Sequence, residues 1–163
     1  MKFLILLLLP LLMHAQTREL AYPQTAFDAD TCCWRKLSAA GQHEQAGQLI
    51  AAYIDHSPNV ENKHSLHWHA GQMFASAQNT KQACRYFKKT YSVFYKWFGG
   101  DDGKAWYFYA KGTVAFVQRN RELLERIIQH WQSHNLEQDR NYRSLVQMLE
   151  HWDKPYMEAA TVK

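Results

Sequence analysis

Along most of this chain, apolar side chains recur every three or four residues, the period of a helix that buries one face. Trp34, Leu37 and Ala40 open the pattern, with Asp28, Asp30 and Thr31 as candidate N-caps and Gly41 as a left-handed C-cap. Ala46, Leu49, Ile50, Tyr53 and Ile54 define a second helix over 42–55, which Pro58 forbids to continue. Leu66, Ala70, Met73, Phe74 and Ala77 define a third over 61–77, and the turn at Asn79 and Thr80 supplies a capping residue. A fourth is predicted over 81–98 from Ala83, Phe87, Tyr91, Phe94 and Phe98. The fifth, 104–118, is apolar on nearly every side, which marks a helix buried between others. The sixth, 121–134, carries the stripe Leu123, Leu124, Ile127, Ile128 and Trp131, and a last one over 137–153 has a charged outer face suited to closing an array. No segment shows the two-residue alternation of a half-buried strand, so the expected class is all-α.

The fourth and fifth helices meet in an unusual stretch. Nine of the nineteen residues over 91–109 are aromatic, and its centre is the polar turn Gly99, Gly100, Asp101, Asp102, Gly103. The glycines are expected to end the fourth helix and form a hinge, and the aspartates to cap the fifth at its positive dipole end. Phe94, Phe98, Trp106 and Tyr109 are expected to pack successive helical pairs together, because aromatic rings supply the largest buried areas.

The helices pair, and the pairs repeat. Ala46, Ala83 and Leu123 take equivalent positions, as do Ile50, Phe87 and Ile127, at spacings of 37 and 40 residues. In this the chain resembles the tetratricopeptide repeat family, whose unit is a helical hairpin of about 34 residues. Gly71, Phe74, Ala83 and Phe87 fit that unit best; Ala46, Ile50 and Pro58 fit in the unit before. Trp34 and Lys111 stand where the family has a small residue, and both periods are longer than the family's. The resemblance covers about residues 28–134. It implies a short solenoid of antiparallel hairpins, with the C-terminal helix as a cap and an inner, concave face lined by the first helix of each pair. Thr31 and Arg35, then Ser65, Trp68 and Gln72, then Phe108, Gly112 and Ala115 fall on that face. Trp68 and Phe108 would face one groove, Gly112 would leave space, and Arg35 would supply a charge. Such a groove suits an extended peptide, or a glycan.

The N-terminus changes the setting. Met1 and Lys2 precede an apolar run from Phe3 to Leu12 and then Ala15, the layout of a secretory signal peptide. The run is shorter than the roughly 20 residues of a membrane span. Cleavage after Ala15 is expected to leave an exported protein, periplasmic or extracellular, without stable membrane insertion. No Asn-x-Ser/Thr sequon occurs, which favours a bacterial envelope. The expected organisation is signal 1–15, an irregular arm 16–27, a helical domain 28–154 and a frayed tail 155–163. The formal charge of +4 becomes +3 without Lys2, and no Lys/Arg cluster suggests nucleic acid.

Candidate chemistry is sparse. Cys32, Cys33 and Cys84 are too few for a disulfide scaffold, and the vicinal pair is not a CxxC redox motif. A bridge from Cys84 to either of the others would join distant parts of an array, and Cys84 reads as a small buried hydrophobe. His64 with His67, and His130 with His134, have the i,i+3 and i,i+4 spacing that puts two imidazoles on one helix face, but no HExxH accompanies them. No nucleophile elbow, P-loop or dinucleotide fingerprint occurs. The sequence therefore points to a non-catalytic binding module without a cofactor, an adaptor or assembly factor for a protein or peptide. The alternatives are a small metal-dependent hydrolase built on the histidines with Asp101 and Asp102, and an inhibitor or immunity-type partner protein.

Overall fold

The structure, a computed structural model, describes residues 19–132 and 139–161. The expected signal segment 1–15, the start of the arm, and the junction between the sixth and last predicted helices lie outside the described residues. Among the described residues the regular structure is entirely helical. The helices are α1 (Gln24–Phe27), α2 (Cys33–Ala39), α3 (His43–His56), α4 (Lys63–Ser76), α5 (Thr80–Phe87), α6 (Val93–Phe98), α7 (Gly100–Val117), α8 (Arg121–Gln132), α9 (Arg140–Glu150) and α10 (Tyr156–Thr161). A 3₁₀ turn, Lys88–Thr90, follows α5.

Two helices organise the packing. α4 is covered by α3, α5 and α10; α7 is covered by α5, α6, α8 and α9. Their stripes merge into one hydrophobic core that includes Trp131, Tyr53, Phe87, Phe116 and Leu66. Several expected punctuation marks hold. Gly41 has φ +75°, which is cheap only for glycine. The Asn79 carboxamide accepts the Gln82 N–H at 3.2 Å, capping α5.

The expected arm is more ordered than its sequence suggests. Phe27 on α1 is fully buried and stacks on Tyr53, with ring centroids 3.8 Å apart. The buried Gln24 carboxamide accepts the N–H groups of Glu61 and Asn62 at 2.9 and 2.7 Å, so the arm satisfies backbone donors just before α4. The first predicted helix, α2, begins only at Cys33, with Cys32 at its N-cap and no side-chain cap bond, so Asp28, Asp30 and Thr31 do not cap it. Cys32 and Cys33 are joined as a vicinal disulfide, and Cys84 is buried and unbridged.

The predicted helix over 81–98 is two helices. After α5 the chain tightens into the 3₁₀ turn, Tyr91 is extended, and the Ser92 hydroxyl accepts the Tyr95 N–H to start α6 afresh. The reason lies in Thr90. Its carbonyl accepts the indole N–H of Trp106 at 2.6 Å and His64 Nε2 at 2.7 Å. Both lone pairs are engaged by side chains from α7 and α4, so the carbonyl is not left to continue a helix. Nor is Gly99–Gly103 a hinge between helices. α7 starts at Gly100 and takes Asp101 and Asp102 into its first turn. The corner is tight: a Cβ on Gly103 would lie 2.5 Å from the Tyr95 carbonyl oxygen.

The tail does not fray either. α10 packs on α4 and α9, with Tyr156 and Ala159 buried. Arg119, itself at φ +57°, donates from its guanidinium to the carbonyls of Trp152 and Lys154 and holds the connection in place.

Gly71 marks the closest approach of α4 and α5. A Cβ there would sit 2.5 Å from Cδ1 of the Phe87 ring, which is fully buried and has no room to retreat. Gly71→Ala should destabilise the fold by about 1–3 kcal/mol, the usual range for an overpacked core. Thermal or urea unfolding followed by circular dichroism measures this, and an unchanged midpoint would contradict the packing described.

Candidate functional site

The six residues expected to share a groove do not do so. Trp68 is only 8% exposed and sits inside an aromatic cluster, its ring centroid 4.7 Å from Phe87, 4.8 Å from Trp106 and 5.1 Å from Tyr109. Phe108 is 3% exposed and packs against Trp131 and His130. Gly112 is buried where a Cβ would meet Leu145 at 2.5 Å, so the space expected beside it is filled by α9. Ser65 lies in the first turn of α4, its N–H bonded to the Asn62 cap. For Phe108 and Gly112 the cause is that α7 is wrapped by α5, α6, α8 and α9; Trp68, on α4, is covered by the rings of Phe87, Trp106 and Tyr109.

Arg35 and Gln72 do come together. They line an open cleft of about 340 Å³ with Trp34, His69 and Met157. The cleft lies where α2 and α4 meet α10. The Arg35 guanidinium stacks over the Trp34 ring at 4.3 Å, and its Nε donates to the Asp28 carbonyl at 2.9 Å. Asp30 lies 3.6 Å from the same Nε. His69 Nδ1 lies 3.1 Å from Gln72 Oε1, and as that oxygen is an acceptor the imidazole nitrogen is the donor. The buried indole N–H of Trp34 meets no acceptor. Behind the cleft, Tyr156 packs 6.0 Å from Phe87, ring to ring. Burial, reinforced by Tyr109, pushes its hydroxyl far above the ordinary phenol range, so it stays neutral.

Trp34 was read from the sequence only as a helix-stripe residue, and Tyr156 and Met157 were not singled out. A signal for the last two existed: Pro155 before Tyr156, then Ala159 and Ala160, is a proline-led helix start with an i,i+3,i+4 apolar face. Eight residues after a proline read more readily as tail.

The histidines occupy separate environments. His64 serves the Thr90 carbonyl, His67 lies against the Tyr86 ring, and His130 against Phe108. His134 lies outside the described residues. Among the described residues no three His, Cys, Asp or Glu side chains converge in a metal-binding arrangement. Asp101 pairs with Lys104 at 3.5 Å in the first turn of α7. Burial pushes the Cys84 thiol up, so it is a thiol rather than a reactive thiolate at neutral pH.

The largest surprise is α6. Phe94 and Phe98, expected to pack helical pairs together, project into solvent with Val93, Tyr95 and Trp97; Trp97 is 68% exposed and Phe98 75%. Only Lys96 turns inward, its ammonium 5.2 Å from the Phe108 ring and 5.5 Å from that of Tyr107.

Set against protein families, curated proteins and solved structures, the chain matches none. No helix among the described residues is long and apolar enough to cross a membrane.

Two outcomes follow from the burial. Trp68→Ala should act on the fold rather than on a surface, lowering stability by roughly 3–5 kcal/mol, as expected for deletion of a buried indole; urea denaturation measures it, and a loss under 1 kcal/mol would place Trp68 outside the core. Burial, with help from Lys89, holds the His67 imidazolium below its ordinary pKa. Protonation therefore favours the unfolded chain: stability is full above about pH 6.5 and falls as pH drops from there towards the folded value. His67→Gln should lose less stability than the native chain between pH 7.5 and 5.5, by urea midpoints, across that window.

Proposed function

We propose that this protein is an exported, non-catalytic binding module of stacked helical hairpins, tetratricopeptide-like in plan, that takes a short helical segment of a partner protein on the face formed by α2 and α4. The observation that carries this reading is α10. The chain's own C-terminal segment is seated on that face, with Tyr156 and Ala159 buried and Met157 at the rim of the cleft beside Arg35 and Gln72. A face that accepts one short amphipathic helix has the shape and apolar lining to accept another. Arg35, Gln72 and His69 supply polar groups beside it, as binding sites need for orientation. An adaptor or assembly role in a bacterial envelope fits the N-terminal segment and the absence of a catalytic motif in the sequence.

The test is to unseat α10 and offer it back. The full chain carrying Tyr156→Ala and Ala159→Glu is titrated with a labelled peptide of residues 155–161, followed by fluorescence anisotropy. The variant should bind the peptide saturably. The native chain should bind at least about tenfold more weakly, because its tethered segment competes at high effective concentration. No binding by a variant that keeps its helix content would overturn the assignment of this face.

A further inference from the structure

The exposed aromatic rings of α6 lie on the other side of the Thr90 junction and have no role in the reading above. We propose that α6 is a peripheral docking tip for an anionic lipid bilayer surface. Three observations support it. The first is geometry. Val93, Phe94, Trp97 and Phe98 fall at i, i+1, i+4 and i+5, which on a helix is one continuous face, and all four are more than half exposed. The face stands on a corner braced by Gly99 and Gly103 against the Tyr95 carbonyl, so it is presented at a fixed angle to α7.

The second is ring chemistry. Apart from Val93, the exposed apolar residues of the tip are Phe, Tyr and Trp, with no Leu or Ile. Aromatic rings of this kind favour the headgroup boundary of a bilayer, where the ring meets acyl carbon and the polar edge stays wet. A helix of six residues cannot span a membrane, but it can lie in that boundary.

The third is charge. Residues 85–111, which contain α6, hold six Lys and Arg against Asp101 and Asp102, a formal +4. That equals the net charge of the whole chain, so the remainder nets zero. Arg85, Lys88 and Lys89 are exposed and precede the tip in the chain, while Lys96 turns inward and Lys104 and Asp101 pair with each other. Basic residues near a membrane surface add to binding of anionic lipid. The same charge argues against a second copy as the occupant, because a symmetric contact through α6 would bring two positive regions face to face.

The experiment is flotation of the full chain with vesicles of phosphatidylcholine alone, or containing about one third phosphatidylglycerol. The triple variant Phe94→Ser, Trp97→Ser, Phe98→Ser is run beside it, and its fold is checked by circular dichroism; these side chains are exposed, so helix content should hold. The native chain should float with the anionic vesicles and bind neutral ones roughly tenfold or more weakly. The triple variant should lose binding by about tenfold or more. Failure of the native chain to float with anionic vesicles overturns the proposal, as does undiminished binding by the folded triple variant. A dimer that floats with neither vesicle and is broken by the triple variant would also overturn it and assign the tip to self-association. The peptide-binding face is untouched by these substitutions, so titration of the 155–161 peptide separates failure here from failure of that reading.

Discussion

The carbonyl of Thr90 is the point on which the arrangement depends. It accepts one hydrogen bond from α4 through His64 and one from α7 through Trp106. The Thr90 hydroxyl meanwhile donates back to the Phe87 carbonyl at 2.7 Å. Each bond contributes only about 1 kcal/mol net, but leaving such a buried group unsatisfied would cost more. Three segments distant in sequence are thereby tied at one atom. The tie also breaks what periodicity alone would continue as one long helix. α5 has ended at Phe87 and the 3₁₀ turn ends at Thr90; beside it Trp106 lies against Trp68, where the aromatic cluster closes between α4 and α7. Because α6 restarts at Ser92 on a new axis, its apolar face is turned out of the protein.

Either side of that junction the chain treats apolar surface in opposite ways. On the α2–α4 side α10 packs against α4 and lines the open cleft through Met157, and the Arg119 guanidinium holds the connection that precedes it. On the α6 side it leaves five large apolar side chains uncovered. An isolated exposed ring is unremarkable in a folded protein, but a contiguous set on one short helix is the kind of surface that marks an interaction site.

Much of the architecture was legible in the residues. The stripes of α3, α4 and α8, the left-handed stop at Gly41, the Asn79 cap and the burial of much of α7 follow from period, capping chemistry and composition, which act over a few neighbouring residues. The candidate site was legible only in part. Arg35 and Gln72 do meet, but Trp68, Phe108 and Gly112 face protein rather than an open groove. The sequence marks them as apolar or small without saying which neighbour covers them. Likewise Phe94 and Phe98 continue the stripe of Ala83 and Phe87 in register, and period carries no information that a carbonyl at Thr90 is captured from elsewhere.

What the sequence alone determined is therefore the class of structure: an all-α chain, the buried faces of several of its helices and some of their caps. Those features are local, and the chain states them residue by residue. Which apolar faces are buried and which are left to others was decided by the tertiary structure. It depends on contacts between α4, α7, α9 and α10, whose partners lie tens of residues apart, and on one shared backbone acceptor that no periodic pattern encodes.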